Sequence, residues 1–430
     1  MRRSNWFMKL LVILPAALLV ILLTWMAVDW WNLNHGKDGT GTQAQVTFAE
    51  AVTQEESRTE ETRSKPDSEP STDEVLKLNL SESEETEVEE SSSELKTEAE
   101  DPILHLLFGG DVYLSDHVIQ AYDNAGGIHG VLDDGYRAEI GAADIFMVNQ
   151  EFPFSDRGTP APDKSFTFRL PPARVAMMNE MGIDMVALAN NHSLDYGTDA
   201  LVDTCTTLEG AGIPYVGAGP NMDRARKLET LEVRGRTVGF LAGSRVFPDT
   251  SWVANSQKPG MVSGYDPAIL LEETAKAGEF CDYLVVYMHW GVEREEMPKD
   301  YQRDLGKKLI DAGADLVIGS HPHVLQGIEY YNGKPIVYSL GNFVFGSSIP
   351  KTALLRADVD LDQDSVTLSL VPGTSGAGFT RELTDAGKIA EFYRYIEGIS
   401  FGIVIDENGY VSPVTSAASA TDRPDRHPAL

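Results

Sequence analysis

Six apolar segments of strand length in this chain end in side chains that can bind a metal ion or transfer a proton. These segments are HLLFGGD with Asp111, DIFMVNQE with Asn149 and Glu151, DMVALANNH with Asn191 and His192, YLVVYMHWG with His289, DLVIGSHPH with His321 and His323, and PIVYSLGNF with Asn342. The carboxyl ends of strands in an open α/β sheet share one edge, so residues distant in sequence can meet there in one crevice. The pattern therefore predicts an α/β fold with one polar site at the strand ends.

The ligand types in these segments indicate the chemistry of the site. Carboxylate, amide and imidazole groups from several strands suit a pair of borderline or hard divalent cations. Two such cations can stabilise the attacking and leaving groups of an in-line displacement at a phosphate-like or acyl centre. We therefore expect two divalent metal ions, and the same ligands accept Mn, Fe, Zn or Mg.

Residues 1–31 are predicted to form a cytoplasmic stub and a transmembrane signal anchor. Residues 10–28 form a stretch of 19 residues without charge, which at about 1.5 Å per residue matches the hydrocarbon core of a bilayer. Arg2, Arg3 and Lys9 precede it, so the amino terminus is expected to stay in the cytoplasm. The alternative is a cleaved signal peptide, but the apolar stretch is longer than such peptides usually have. We expect a single-pass protein of the cell membrane with an extracytoplasmic C-terminal domain.

Residues 32–101 are predicted to form an acidic disordered linker. Residues 35–101 contain 20 acidic and 6 basic residues, a net charge of −14, and too little apolar surface to offset the entropy of ordering. The rest of the chain is also acidic, because the total net charge is −31. Nucleic acid is therefore not expected as a partner, since its binding requires a basic surface.

Strands and amphipathic helices alternate from residue 102 to residue 413, which predicts one α/β domain followed by a loose tail, 414–430. Helices are expected at 172–181, 198–209, 267–279 and 301–312, and antiparallel hairpins at 228–242 and 354–371. Parallel strands together with hairpins predict a mixed sheet, or two packed sheets covered by helices. Cys205 and Cys281 are expected to be buried free thiols, with a disulfide between them left open.

The residues after the strands also suggest separate roles. His321 and His323 flank Pro322, and a turn there can direct both imidazoles at neighbouring ions. The Asn191 amide is a neutral ligand, His192 can transfer a proton and Asp195 can orient that imidazole. The same Asn-rich turn can also cap the helix that follows it.

Taken together, the motifs GGDVYL, VNQE, ANNHSLDYG, HWGVE and GSHPHVLQGIEYYNGKPIVYSLGNFVF resemble the bacterial capsule-synthesis CapA family, which is associated with poly-γ-glutamate. The resemblance covers residues 103–345. It implies the calcineurin-type metallophosphoesterase fold, a four-layer α/β/β/α sandwich of metallophosphatase type with a two-metal site at one sheet edge.

The resemblance also implies roles for individual residues. His192 is expected to be the proton donor, assisted by Asp195, and Glu151 the ligand that bridges the metals. The implied metal ligands are Asp111, Glu151, Asn191, His289, His321 and His323. Tyr113 stands where the wider metallophosphoesterase pattern has a histidine, so one metal position is expected to lack a ligand. Arg169 and Asn342 are expected to bind the substrate, Arg169 as the cation that meets an anionic group, and Asn342 can also support the site from behind the ligands. The alternative for Arg169 is an exposed arginine that forms a salt bridge.

The function implied is that of a membrane-anchored protein in poly-γ-glutamate synthesis, export or retention, with metal-dependent hydrolysis of phosphoester or amide bonds. Its expected partners are the membrane, the polymer and other subunits of polymer synthesis. The alternatives are an extracytoplasmic metallophosphoesterase with another substrate and a non-catalytic scaffold subunit. The sequence does not decide between the bonds, and it does not define the oligomeric state.

Overall fold

The computed structural model describes residues 102–346 and 348–414. The anchor predicted for 1–31, the linker predicted for 32–101 and all but the first residue of the predicted tail lie outside them. Among the described residues, no helix has the length and apolar character needed to cross a membrane. The domain boundaries drawn from the sequence stay predictions.

The described chain alternates between strands and short helices. The strands are β1 (Ile103–Val112), β2 (Ile145–Gln150), β3 (Met185–Ala187), β4 (Tyr215–Val216), β5 (Ala218–Gly219), β6 (Glu229–Val233), β7 (Arg236–Ser244), β8 (Gly260–Met261), β9 (Tyr283–His289), β10 (Leu316–Ser320), β11 (Leu325–Tyr331), β12 (Lys334–Leu340), β13 (Asn342–Val344), β14 (Ser348–Asp360), β15 (Ser365–Gly376), β16 (Phe379–Glu382), β17 (Ile403–Ile405) and β18 (Tyr410–Pro413). The α-helices are α1 (Asp116–Ala125), α2 (Asp134–Ala142), α3 (Val175–Glu180), α4 (Thr198–Ala211), α5 (Met222–Ala225), α6 (Ala268–Ala277), α7 (Asp300–Asp311) and α8 (Ala386–Ile399). Short 3₁₀ helices cover Ile128–Gly130, Pro172–Arg174 and Thr250–Trp252.

The strands form two large mixed sheets and one small sheet. The first sheet has the order β17-β18-β15-β14-β1-β2-β3-β4, with β13 paired to β1 and β16 paired to β15. The second sheet has the order β11-β12-β10-β9-β7-β6, and β5 pairs with β8. Strands β1 to β4 are parallel, as are β7, β9, β10 and β12. The mixed α/β expectation is therefore confirmed.

Strand β9 shows how the two sheets pack. Val285 and Tyr287 belong to the buried cluster that includes β1 and β2, whereas Val286 and Met288 belong to a second cluster with α6 and α7. The Tyr287 hydroxyl donates to the Gly109 carbonyl of β1 at 2.9 Å. The second sheet therefore has the first sheet on one face and helices on the other, because successive side chains of a strand point to opposite faces.

Helices α1 to α4 contribute apolar side chains to the cluster of the first sheet. Val118, Ile140, Met178 and Leu201 represent one helix each. Helices therefore pack against both sheets, in the layered arrangement that the sequence predicts.

The predicted helices and hairpins correspond to observed elements. A short 3₁₀ turn and α3 replace the continuous helix expected at 172–181, and β6–β7 and β14–β15 form the two antiparallel hairpins. Both cysteines are free thiols, but only Cys205 is buried, and Cys281 is half-buried at the second cluster. The disulfide left open by the sequence is absent from the structure.

The sheet edge that carries the polar site depends on a close backbone contact. A Cβ atom at Gly110 would lie 1.9 Å from the Gly341 carbonyl oxygen, so only glycine fits between β1 and the turn before β13. Asp111 then aligns with Asn149 of β2 on one side and with Asn342 of β13 on the other. Gly110 therefore permits the close backbone contact that precedes Asp111.

Candidate metal centre

The carboxyl ends of the strands bring the predicted ligands into one buried crevice. The first sheet supplies Asp111 at the end of β1 and Glu151 just after β2, and the second supplies His289 at the end of β9. His321 and His323 follow β10, and both have positive φ, 98° and 57°, in a tight turn around Pro322. This turn directs both imidazoles toward the same carboxylates, as the His-x-His spacing predicts.

Glu151 lies at the centre of this crevice. It is fully buried and belongs to two groups of possible cation ligands, one with Asp111 and His289 and the other with His321 and His323. The ligand atoms within each group lie within 4.8 Å of one another. Glu151 Oε1 is 3.2 Å from His289 Nε2, and Oε2 is 4.0 Å from His323 Nδ1. Glu151 is thus the one residue common to both groups, as expected for a bridging ligand.

The unsatisfied polar atoms of the crevice fit bound cations. Both carboxylate oxygens of Glu151 and Nδ1 of His321 are buried without a hydrogen-bond partner. They are three of the seven such side-chain atoms among the described residues. A buried carboxylate without a donor is costly, and divalent cations satisfy oxygen and imidazole donors of this kind.

Burial shifts the pKa values of the ionisable groups in this crevice. Burial and the neighbouring Asp111 carboxylate raise the pKa of Glu151 well above its usual range. Burial lowers the pKa of His289 well below its usual range, and burial together with His323 lowers the pKa of His321 to about 3. Neutral imidazoles have a free lone pair for a metal, so these two histidines are suitable ligands.

His323 differs from the other two histidines. Burial opposes its charged form, but the carboxylates of Glu151 and Asp111 raise its pKa to about 10. Its Nδ1 lies 3.5 Å from Asp111 Oδ2 and 2.8 Å from Asn342 Oδ1. Asn342 therefore contacts a predicted ligand directly, and its predicted role in binding substrate stays a prediction.

Asn191 completes the side of the crevice formed by β3. Its amide oxygen is 2.8 Å from Nε2 of His289, the same nitrogen that faces Glu151. On the other side of the ring, His289 Nδ1 lies 3.0 Å from the Ser320 hydroxyl. Asn191 Oδ1, His289 Nε2 and Glu151 Oε1 thus converge on one another, an arrangement that suits a shared cation.

His192 is held beside this crevice by Asp195. Its Nδ1 lies 2.7 Å from Asp195 Oδ2, and its ring stacks on Phe168 with centroids 4.1 Å apart. If Nδ1 donates to the buried carboxylate, Nε2 is the nitrogen left to accept or deliver a proton. This geometry supports the roles predicted for His192 and Asp195.

Several polar residues at the centre were not assigned a role from the sequence. Lys164 donates to Asp195 Oδ1 and to the Asn191 carbonyl, and it lies in a loop without any periodic signal. Asn190 donates to Asn149 Oδ1 at 3.1 Å, and Asn149 in turn donates to Asp111 Oδ1 at 2.8 Å. Both asparagines stand at or just after strand ends. That position already singled out Asn149 in the sequence, without a specific role, and could have identified Asn190 in the same way.

Arg169 is placed apart from the predicted ligands. Its exposed guanidinium lies over the Tyr196 ring, 4.1 Å from the centroid, and donates to the Arg157 carbonyl. Its assignment to an anionic substrate stays a prediction. Tyr113 stacks on Phe168 with ring centroids 3.9 Å apart, so it helps to pack the residue that supports His192.

Residues 105–347 of the chain match the family described as "Bacterial capsule synthesis protein PGA_cap". This chain belongs to that family. The family resemblance drawn from the motifs is therefore confirmed, and the PGA_cap match includes every predicted metal ligand.

Two relatives of the chain come from bacilli. The chain is 33% identical over 259 residues to "PGA biosynthesis protein CapA" of Bacillus subtilis (strain 168), a match that covers 59% of this chain and 66% of the relative. It is 34% identical over 241 residues to "Capsule biosynthesis protein CapA" of Bacillus anthracis, which covers 54% of this chain and 58% of the relative. Both matches span less than two thirds of the relative's length.

Among solved structures, the chain is similar to a novel phosphatase from Mycoplasma pneumoniae and to the NAD nucleotidase of Haemophilus influenzae. The TM-scores are 0.42 and 0.40, with 12% sequence identity in both cases. The first match covers 64% of this chain and 94% of the phosphatase, and the second covers 71% of this chain and 64% of the nucleotidase.

Proposed function

We propose that this PGA_cap protein acts in the synthesis, export or retention of a poly-γ-glutamate capsule through a two-cation, hydrolase-like centre. It is held at the membrane by residues 1–31, with its α/β domain outside the cytoplasm and other polymer-synthesis subunits as partners. The family membership and the names of the two bacillus relatives support the capsule role. The apolar stretch 10–28 supports the anchor.

The observation that carries the hydrolase-like centre is the position of Glu151. A fully buried carboxylate, neither of whose oxygens has a hydrogen-bond partner, is shared by two groups of imidazole and carboxylate ligands. A structural carboxylate at this depth would be expected to accept hydrogen bonds, whereas the groups that face Glu151 are the imidazoles of His289 and His323. Its surroundings suit a bridge between two cations better than a packing role.

The residues of this chain divide the proposed work between them. Asp111, Asn191 and His289 would hold one cation and His321 and His323 the other, with Glu151 common to both. Bound divalent cations would polarise a phosphoester or amide group and lower the pKa of a coordinated water. His192, oriented by Asp195 and stacked on Phe168, would move a proton at Nε2.

Replacing His321 and His323 by alanine in the full chain tests this proposal. Loss of two ligands should lower metal affinity by more than about a hundredfold and abolish polymer production when the variant replaces the native protein in its host. Chelation should lower the melting temperature of the wild type but not of the double variant, because only the wild type is stabilised by bound metal. Elemental analysis, capsule quantification and thermal unfolding provide the measurements.

His129→Ala is the matched control, because His129 is an exposed histidine outside the crevice. It should retain metal, polymer production and the response to chelation. If polymer production survives loss of the metal, the protein acts as a scaffold and not as a metal-dependent catalyst. Polymer production that is unaffected by deletion of the whole protein would refute the capsule role.

A further inference from the structure

A groove of about 760 Å³ opens from the metal centre. His192, His323 and Asn342 of the centre line it, and so do Lys351 and Tyr395 of α8. A substrate group held at the centre would leave the rest of the molecule in this groove. The side chains that line the groove therefore indicate the chemistry of the part of the substrate that lies outside the metal centre.

Two positively charged side chains that line the groove have no carboxylate partner among the described residues. Arg294 and Lys351 both line it and both are exposed. No ion pair joins either of them to a carboxylate within residues 102–346 and 348–414, although Lys299 in the same loop as Arg294 pairs with Glu295. These two cations are therefore available to an anionic ligand.

The backbone holds Arg294 close to the metal centre. Its N–H donates to the Pro322 carbonyl at 2.7 Å, in the turn between the two predicted histidine ligands. Its φ of 63° is in the left-handed region that non-glycine residues rarely adopt. Lys351 is held by a different contact, because its Nζ lies 3.7 Å from the centroid of the Tyr395 ring.

Apolar side chains line the same groove as these two charged residues. Phe166, Phe345, Ile349 and Pro350 line the same groove. Phe166 is 71% exposed, which is unusual for a large aromatic residue beside a concave polar site. A ligand with aliphatic segments would cover this surface.

The groove is not a uniformly positive channel. Glu293 and Glu296 also line it, and Glu296 accepts a hydrogen bond from the Tyr395 hydroxyl at 2.9 Å. The whole chain carries a net charge of −31, so a long polyanion would not be attracted by a general field. Binding of an anionic chain here depends on the two discrete cations.

Resting on the proposed function, we infer that the groove binds a short γ-linked glutamyl segment of the substrate. Arg294 and Lys351 each bind one α-carboxylate, and the methylene groups between successive carboxylates pack on Phe166, Phe345 and their apolar neighbours. A γ-linked chain alternates carboxylates with aliphatic segments, and the lining of the groove supplies both cationic and apolar side chains to meet them. The groove is thus specific for an amphipathic anionic chain of limited length.

The test measures binding of a fluorescently labelled, short γ-linked glutamate oligomer to the full chain in detergent micelles, by fluorescence anisotropy. Arg294→Gln and Lys351→Gln should each weaken binding about threefold and together about tenfold, as expected for exposed charge pairs. The wild-type affinity should fall with added salt. An oligomer with amidated carboxylates should also bind the wild type weakly. Its affinity for the wild type should not exceed the affinity of the acidic oligomer for the double variant.

Lys308→Gln is the control, because Lys308 is an exposed cation on α7 outside the groove. An equal loss of affinity in this control would show non-specific charge attraction and overturn the inference. Unchanged binding in the double variant would overturn the inference and leave the proposed function standing. A wild-type chain that does not bind the oligomer, but still supports polymer production through its metal centre, would also overturn the inference alone.

Discussion

Asp195 is held at both of its carboxylate oxygens by groups from three places in the chain. Lys164 donates to Oδ1, and Oδ2 is 2.7 Å from both the His192 imidazole and the Phe168 backbone nitrogen. The Ala161 N–H donates to the Asp195 carbonyl at 2.7 Å. Asp195 is fully buried, so these contacts replace water around its charge. They also attach the segment 161–168 to the residue that orients His192.

Replacing Lys164 by methionine should therefore destabilise the protein and loosen this segment. Removal of one partner leaves a buried carboxylate oxygen without a donor, which costs about 1–3 kcal/mol. Chemical denaturation should show this loss, and hydrogen exchange at the Phe168 amide should become faster. Lys164→Arg retains the charge and should lose less stability. Equal unfolding curves for the wild type and Lys164→Met would show that the ion pair contributes nothing.

The site residues that could be predicted are those at the ends of buried strands. Asp111, Glu151, His289 and His321 each follow an apolar segment, and parallel strands bring such ends to one edge whatever their separation in sequence. Lys164, Arg294 and Lys351 could not be placed in this way. The first two lie in loops, where the sequence pattern carries no information about which crevice the chain approaches.

Glu329 on β11 joins this strand to helix α7 through charged contacts. One carboxylate oxygen is 3.0 Å from Arg303 and 2.9 Å from Lys307, both on α7. The other accepts from the Tyr338 hydroxyl of β12 at 2.8 Å. Burial opposes ionisation, but these partners lower the pKa of Glu329 to about 2. The helix is thus tied to the end of the second sheet by a carboxylate that stays ionised.

This contact predicts how stability depends on pH. Because the pKa of Glu329 is lower in the folded chain than its usual value of about 4.3, its contribution is complete above that value and is lost as the pH falls toward 2. Glu329→Gln should therefore be less stable than the wild type at neutral pH, and the difference should shrink in acid. Denaturant unfolding across this pH range measures the effect. A difference that stays constant with pH would contradict the assignment.

The elements themselves could be predicted where one face of a segment is apolar. In α7, Leu305, Leu309 and Ile310 are buried at the helical spacing that the sequence shows. Helix α8 has the same signal in Phe392, Tyr393 and Ile396, and it was identifiable from that spacing although it was not predicted. The sequence pattern left one mixed sheet and two packed sheets open, and it could not assign each strand to its partner, because strand pairing depends on contacts between distant segments.

At the scale of the whole molecule, the charge differs between the two sides of the apolar stretch 10–28. Residues 35–101, within the predicted linker 32–101, carry −14 of the total of −31. The basic residues Arg2, Arg3 and Lys9 stand on the other side of the apolar stretch. This distribution supports the proposed topology.

The topology can be tested on intact cells. Protease added from outside should release the domain 102–413 by cutting the linker, because disordered segments are cut more readily than folded ones. A tag at the amino terminus should remain protected, since that end is proposed to lie in the cytoplasm. A tag placed after residue 430 should be accessible without permeabilisation. Protection of the carboxyl-terminal tag would refute the extracytoplasmic location.

The segment 161–168 has contacts at both of the places where this protein is proposed to act. Its Phe166 lines the groove, while Lys164 and Phe168 hold Asp195 and support the His192 ring. A ligand that immobilises Phe166 therefore also favours the arrangement that orients the imidazole, and thermodynamic reciprocity requires that an oriented imidazole favours the ligand in return. Binding of the glutamyl oligomer and orientation of the His192 imidazole for proton transfer would then be coupled in one equilibrium.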